Sequence, residues 1–551
     1  MLLGSLTACS TDVPATLVRG SELRVQHSAA LTQLNPAAAD ASAADVELAA
    51  LTRDGFARLV DGEVEVDEDF GDVTVVDAEE FTVRYDLAER TWSDGVVIDA
   101  ADLVLAWVAE ADPTGAGFDT VPGSLAMASE PVVDQQQRRI ELTYGTEVHD
   151  WQTALDVAVP AHAVAALAWG VKDPMEAKKA VLDAVATLAA ADLAVLAESW
   201  NRGFRVDGMQ GALPGRITAS SGPYEVASVG GATSPGSVVL QASTGYDGGD
   251  PPVHERIELR ASVGPPLDGF PAKVDVVRLE PDPALFDAVR YLERRDHTVS
   301  YSHDGRAWML LLRPQKALFG SVGPRSAFLR AAAAADLRQR GGGTWSEAYP
   351  STRSLLFAPE SDGYEIALED AGLARSLSSD DVNADRERAG VSAGAEVCVL
   401  HDASDPFAVR AFAALSANTR EAGWKISDCG VPALDSEAFT EDSWHALLAV
   451  VDLPEGPEQV AELWGEDSPW SAAAGSAVAS LASRAARTAD PYDYRDLLVA
   501  AEAAVVAQAV ALPIAMDGLV TLTARDLAPL QPDSGPTATL LHSARFWEPV
   551  D

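Results

Sequence analysis

The chain has 551 residues, with 40 Lys and Arg against 84 Asp and Glu, giving a formal charge of −44. That length exceeds one compact core and implies two or three lobes, and no uninterrupted apolar run approaches the ~20 residues of a membrane span. The acidity argues against nucleic acid, whose phosphates need clustered cations, and it repels anionic partners at long range.

Leu23–His27 reads as a first strand and leads into Leu34-Asn35-Pro36. Residues 37–50, rich in Ala and Asp, read as a helix. Val73–Val76 and Phe81–Tyr85 are short strands. Asp94-Gly95 is a turn dipeptide, because glycine takes positive φ without steric cost. Asp99 stands at a helix N-cap, and Asp102 lies in the first turn, where a carboxylate favours the positive end of the dipole. Leu103, Ala106 and Trp107 then form one apolar face. Residues 132–144 read as a hairpin and 151–200 as Ala- and Leu-rich helices. Gly341-Gly342-Gly343 lacks the preceding strand and following Lys of a phosphate loop, so it reads as a flexible loop. Glu396–Leu400, Phe407–Glu421 and Trp424–Ser427 form a β-α-β unit whose helix ends at Gly423. Ala446–Val451 is a buried strand that delivers Asp452 at its end. A helix over Tyr494–Ala509 and a strand over Leu512–Met516 follow. Trp92 and Trp107 are assigned to packing; Trp308, Trp345, Trp464 and Trp470 are cleft candidates that the sequence does not separate.

No catalytic constellation emerges. The nine histidines are dispersed, without a His-Glu-x-x-His pair, and no Cys-x-x-Cys suggests zinc. There is no Gly-x-Ser-x-Gly elbow and no Walker lysine loop. The expectation is a protein that is not an enzyme and carries no metal and no cofactor. Cys398 and Cys429 flank the β-α-β unit and stand either as a disulfide of an exported protein or as two buried thiols.

The string Thr91–Trp107 closely resembles the W-S-D-G-x-P-[ILV]-x-A-x-D stretch of family 5 solute-binding proteins, the extracytoplasmic receptors of peptide-type ABC importers; Val97 stands where proline is usual. Looser resemblances keep the same order along the chain. Phe56–Val60 resembles "Y-E-G-L-V", and Ser221-Gly222-Pro223-Tyr224 resembles "G-[TS]-G-P-Y". Arg325, Ala327, Phe328 and Ala331 match the R-V-R-Q-A motif, with Ala333 replacing its usual Asp. Leu6-Thr7-Ala8-Cys9 resembles a lipobox, although no basic residue precedes it.

The resemblance implies an α/β, two-lobed fold of type II periplasmic-binding topology with an extra subdomain in lobe I. The expected division is 1–18 lipoprotein signal remnant and tether, 19–262 lobe I with the accessory subdomain at about 50–200, 263–508 lobe II, and 509–551 returning to lobe I. It implies a monomeric, lipid-anchored component, modified at Cys9, on the extracytoplasmic face of the membrane. Such a protein captures oligopeptides or similar small solutes between its lobes and delivers them to ABC permease subunits. In peptide-binding members an Asp after a second-lobe strand holds the peptide ammonium, and Asp452 is its match. His401 and Asp402 open the stretch where dipeptide-type members carry an Arg; its absence here favours a longer peptide or a non-peptide ligand. Asn35, Ser221, Gly222 and Tyr224 lie on loops that approach the cleft in the family. The departures leave two other readings: a transport-inactive receptor used in signalling or envelope assembly, and a secreted hydrolase on a different fold.

Overall fold

The computed structural model describes residues 16–548 apart from 28–30, 61–62, 122, 137, 231–235, 262–263, 435–438, 440–442, 473–474, 531 and 536–539. Residues 1–15, and with them Cys9, lie outside the described residues. The strands are β1 (Val18–His27), β2 (Ala57–Val60), β3 (Glu63–Val66), β4 (Gly71–Asp77), β5 (Thr82–Leu87), β6 (Val132–Asp134), β7 (Arg139–Thr143), β8 (Gly211–Ala212) and β9 (Tyr224–Val229). They continue with β10 (Val238–Ala242), β11 (His254–Ala261), β12 (Val276–Leu279), β13 (Thr298–Leu312), β14 (Ala395–His401), β15 (Trp424–Asp428), β16 (Ala446–Asp452) and β17 (Ala511–Thr523).

Eleven of them form one mixed sheet in the order β15-β14-β16-β13-β17-β12-β1-β11-β10-β9-β8. The long antiparallel pair β13 and β17 carries this sheet from one lobe to the other. Thr298–His303 pairs with Gly518–Thr523 on the β12 side, whereas Ala307–Leu311 pairs with Ala511–Met516 on the β16 side. Between these runs the register shifts at His303/Ala307. Gly305 sits there with φ +82°, a conformation glycine adopts freely. A bulge of this kind bends the strand and re-aims its side chains.

Three apolar clusters fill the molecule. The first gathers residues between Leu23 and Val276 together with Leu527, Leu530, Leu540, Leu541, Ala544 and Trp547, so an early and a late segment of the chain enter one lobe. The other two lie on opposite faces of the second lobe's sheet. Trp308, Leu310 and Leu312 point into one, and Ala307, Met309 and Leu311 into the other. This is the period-two alternation of a strand buried on both sides, and each fully buried Leu or Met contributes about 1.5–3 kcal/mol. Helix Pro406–Glu421 covers the first face through Phe407, Ala411 and Leu415. Helices Pro457–Trp464, Gly475–Ala485 and Pro491–Gln508 cover the second through Val460, Val478 and Val505. Cys398 and Cys429 are joined by a disulfide between residues 31 apart, a closure that stabilises by about 2–4 kcal/mol.

The segment Thr91–Trp107 forms the capped turn its residues predict. Asp94 Oδ1 accepts from Val96 N, and helix Ala100–Ala111 starts with a capping box between Asp99 and Asp102. Asp102 also accepts from Ala161 N at 2.8 Å and from Lys178 Nζ at 2.7 Å. Lys178 donates to the carbonyl of Val97 as well. The segment packs beside a four-stranded sheet ordered β4-β5-β7-β6.

Three expectations need correction. The helices expected over 151–200 begin only at Ala161, after Pro160, and 151–160 run through turns. The helix expected over 37–50 spans Ala43–Thr52, because Asn35 and Ser42 divert the preceding backbone into turns and Ser42 then forms a capping box with Asp45. Gly341 and Gly342 are the last, buried turn of helix Ala334–Gly342, not a flexible loop. A Cβ at Gly341 would lie 2.8 Å from the Phe407 ring, so close packing of that ring explains the glycine.

Glu502, 1% exposed, accepts from Ser354 Oγ at 2.6 Å and Leu355 N at 2.9 Å. Burial pushes its carboxyl up to about 7 in spite of those donors. The folded protein therefore keeps a proton that the unfolded chain has released. This group's contribution is complete below 4.5 and is lost as pH rises to about 7. Glu502→Gln keeps an acceptor for Leu355 N without a charge to bury. Urea unfolding at about pH 4 and about pH 8 should show the variant gaining on the wild type at the higher pH. Parallel pH profiles would remove Glu502 as the cause.

Candidate ligand-binding site

A cavity of about 670 Å³ opens where β13 crosses between the lobes. Three stretches wall it: residues 304–306 at the β13 bulge, 451–455 at the end of β16, and 468–470 after helix Pro457–Trp464. Gln459 and Glu462 of that helix complete one side. The lining holds four carboxylates, Asp304, Asp452, Glu455 and Glu462, against one cation, Arg306.

Arg306 is already engaged. Its Nε donates to Asp304 Oδ2 at 2.7 Å, and its Nη2 lies 3.1 Å from Asp517 Oδ2. Asp517 interrupts the apolar run of β17 and accepts from Trp308 Nε1 at 3.0 Å. Burial pushes its carboxyl up to about 6, with Arg306 opposing the shift. Asp452 stands directly across from Arg306 in the β13–β16 register and is exposed. Burial, and then the charge of Asp452, raise the Glu455 carboxyl. The cavity is thus an acidic bowl whose one guanidinium is held by two acids, with Trp470 as an aromatic wall. Chemically it suits a solute that brings positive charge.

A second contact joins the lobes beside this cavity. His149, from the loop after β7, stacks on Tyr494 with ring centroids 5.3 Å apart and planes 5° from parallel. Next to it, Ala489 N donates to Glu147 Oε2 at 3.0 Å and His149 N to Ala486 O at 3.3 Å. A Cβ on Gly456 would lie 3.7 Å from His149 Nε2, which puts the stack one residue from the lining residue Glu455.

Of the residues singled out in the sequence, Asp452 and the cleft candidate Trp470 line this cavity. Asn35 is buried and spends its amide on Trp200 O and Ala37 N. Ser221 Oγ accepts from Asp54 N at 3.0 Å. A Cβ on Gly222 would meet Arg53 N at 2.7 Å, so this loop is packed tightly on the helix Ala43–Thr52. Tyr224 is fully buried, and its hydroxyl accepts from His254 N. His401 is buried and stacks on Phe412 at 4.4 Å, while Asp402 accepts from Ser404 N and Oγ. Trp92, Trp107, Trp345 and Trp464 are buried, and Trp470 reaches the cavity. Sequence reasoning missed Asp304, Arg306 and Asp517. The signal was present, since charged residues break two otherwise apolar strand runs, Ala307–Leu312 at its start and Leu512–Leu522 in its middle.

Among the described residues, no group of three or more His, Cys, Asp or Glu is arranged to hold a metal ion, and no helix is long and apolar enough to cross a membrane.

No family model matches the chain. An uncharacterized lipoprotein of Mycobacterium leprae is 29% identical over 246 residues, and one of Mycobacterium tuberculosis is 28% identical over 255. The first alignment covers 43% of this chain and 40% of the relative, so the chain matches well under half the length of these curated relatives. Similarity to solved structures runs the whole length. The periplasmic EDTA-binding protein EppA superposes with a TM-score of 0.76 at 16% identity, covering 100% of both chains. NikA from Brucella suis, solved with Fe(III)-EDTA, gives 0.67 at 13% identity over 96% of this chain and 100% of that one. The oligopeptide-binding protein AppA from Bacillus subtilis, in complex with a nonapeptide, gives 0.59 at 10% over 96% and 99%. The chain therefore has the two-lobed α/β fold of the ABC-transporter solute-binding proteins whose family 5 motifs its sequence resembles.

Proposed function

We propose that this protein is the substrate-binding component of an ABC importer, and that it closes two lobes around an oligopeptide or similar solute carrying an ammonium group. The single observation that carries this reading is the charge of the cavity: four carboxylates face one arginine that two acids already hold. An ammonium placed between Asp452 and Glu455 would compensate charges that closure would otherwise leave unpaired. The nonapeptide bound by the AppA structure supports a peptide. EDTA, named for EppA, and its Fe(III) chelate, bound by NikA, are anions, which this bowl would repel. We take lobe I as 19–262 with the return 509–551, lobe II as 263–508, and 1–18 as a tether lipidated at Cys9 on the extracytoplasmic face, next to permease subunits. Uptake then needs no covalent chemistry. The ligand shifts a hinge equilibrium by as much as its affinities for the open and closed forms differ.

Isothermal calorimetry of the purified protein against a library of basic and neutral peptides tests the reading. Saturable heat is expected for peptides with a free N-terminus and none for their N-acetylated forms. No heat for any member would reject an importer for peptides. Intact mass of the native protein tests Cys9, where an unmodified N-terminus would reject the anchor.

The His149–Tyr494 stack belongs to the form in which the lobes touch. Removing it with Tyr494→Ala should cost the closed form about 0.5–1.5 kcal/mol. The expected result is a larger radius of gyration in small-angle X-ray scattering of the unliganded protein. Peptide affinity should fall by roughly threefold to tenfold. Scattering and affinity both equal to wild type would show that the stack does not bias closure.

A further inference from the structure

Lobe II holds a second cavity, of about 510 Å³, on the far side of the 468–472 turn from the acidic bowl. Its lining is the reverse in character. Arg325 is 4% exposed, its Nε donates to Gln508 O at 2.8 Å, and its Nη1 donates to Phe319 O at 2.6 Å. Among the described residues no carboxylate pairs with it, in a chain that carries 84 acids. Burial lowers its pKa, and no neighbouring acid raises it again. A buried cation without a counter-charge is costly unless something supplies one.

Gln508 is the second, independent observation. It is 5% exposed and lines the same cavity. Its Oε1 accepts from Ala472 N at 2.7 Å, which orients the amide, and its Nε2 is left buried without a partner. A buried donor left unmade costs a desolvation penalty that a ligand acceptor would recover. Beside both, helix Val322–Ala332 begins at Ser321, which makes no side-chain capping bond. The first N–H groups of a helix have no partner within it and carry its positive dipole end. Arg325, Gln508 and an uncapped helix start therefore line one cavity without a carboxylate, and the buried amide N–H of Gln508 lies behind that lining without a partner.

We infer that this cavity is a binding site for a small oxyanion, a phosphate or carboxylate group held by Arg325, Gln508 and the start of helix Val322–Ala332. It is separate from the solute cavity and does not depend on the importer reading. The 468–472 turn is the shared wall, with Ser468 to Trp470 facing the acidic bowl and Ser471 and Ala472 facing the anion cavity.

Thermal unfolding of the full chain, titrated with inorganic phosphate at constant ionic strength set by chloride, tests the site. The wild type should show a saturable rise in Tm, with calorimetry giving a matching Kd. Acetate in place of phosphate separates a carboxylate site from a phosphate site, since only the preferred anion saturates. Gln508→Glu keeps the acceptor for Ala472 N and adds a carboxylate to the cavity that Arg325 also lines. Its Tm without phosphate should exceed the wild type's, and the phosphate response should vanish. Gln508→Leu, which removes the donor and adds no charge, should weaken phosphate binding at least several-fold. A wild type that neither anion stabilises beyond chloride would overturn the inference. So would a Gln508→Glu or Gln508→Leu protein that binds phosphate as the wild type does.

Discussion

Lys178→Met is expected to destabilise lobe I by about 3–5 kcal/mol, the cost of removing one partner from a buried ion pair. Lys178 is 2% and Asp102 0% exposed at the side chain, and Nζ to Oδ2 is 2.7 Å. The same ammonium lies 3.2 Å from Asp99 Oδ1 and donates to Val97 O. One cation thus ties the turn, the N-cap and the first helical turn of the segment Thr91–Trp107 to helix Pro174–Thr187. Methionine fills the channel left by the lysine stem but leaves Asp102 without its cation, inside an apolar core. Asp102 would still accept from Asp99 N and Ala161 N, so the helix should remain while its docking weakens. Urea unfolding, followed by the fluorescence of the buried Trp92 and Trp107, measures the loss. A change under about 1 kcal/mol would show that the pair is neutral here, as exposed ion pairs are. The double variant with Asp102→Leu should recover much of the loss, because replacing both partners removes the stranded charge.

The second large effect is on binding. Asp452→Ala should weaken the best peptide found by calorimetry by about 2–5 kcal/mol, on the order of 30-fold or more. Asp452 is exposed, so its truncation should leave the unfolding midpoint nearly unchanged. In the proposed closed complex, excluding water would leave the ammonium facing an unmatched site without Asp452. Asp304 is a suitable contrast. It already holds Arg306 at 2.7 Å, so Asp304→Asn should act through the arginine and have a smaller effect on peptide affinity. An Asp452→Ala protein with wild-type affinity would take Asp452 out of the site.

Much of the molecule is legible from neighbours in sequence. The turn at Asp94-Gly95 and the capping pair Asp99 and Asp102 form because their partners lie within four residues. The β-α-β unit from β14 to β15 follows from a buried apolar strand, a Pro-started helix and Gly423 at φ +81°. Boundaries slipped where side chains compete for the backbone, as before Ala43. The glycines at 341–342 misled because the ring that requires them, Phe407, lies far along the chain and meets them only after folding.

Local pattern thus settles which residues become strands, helices and caps, since those depend on backbone geometry and on contacts a few residues away. It also carries the family resemblance and the position of Asp452 at a strand end. The site itself is a product of long-range convergence. The bulge at Asp304–Arg306, the end of β16 and the 468–470 turn share a cavity although more than 160 positions separate the first from the last. Arg325 meets the backbone of Gln508 from 183 positions away. Whether a carboxylate faces solvent, an arginine or the acidic bowl, and whether a glutamine amide finds a partner, depends on which surfaces the two lobes bring together. No spacing along the chain encodes that, because the energy lies in burial and charge compensation between segments that have no sequence relation to one another.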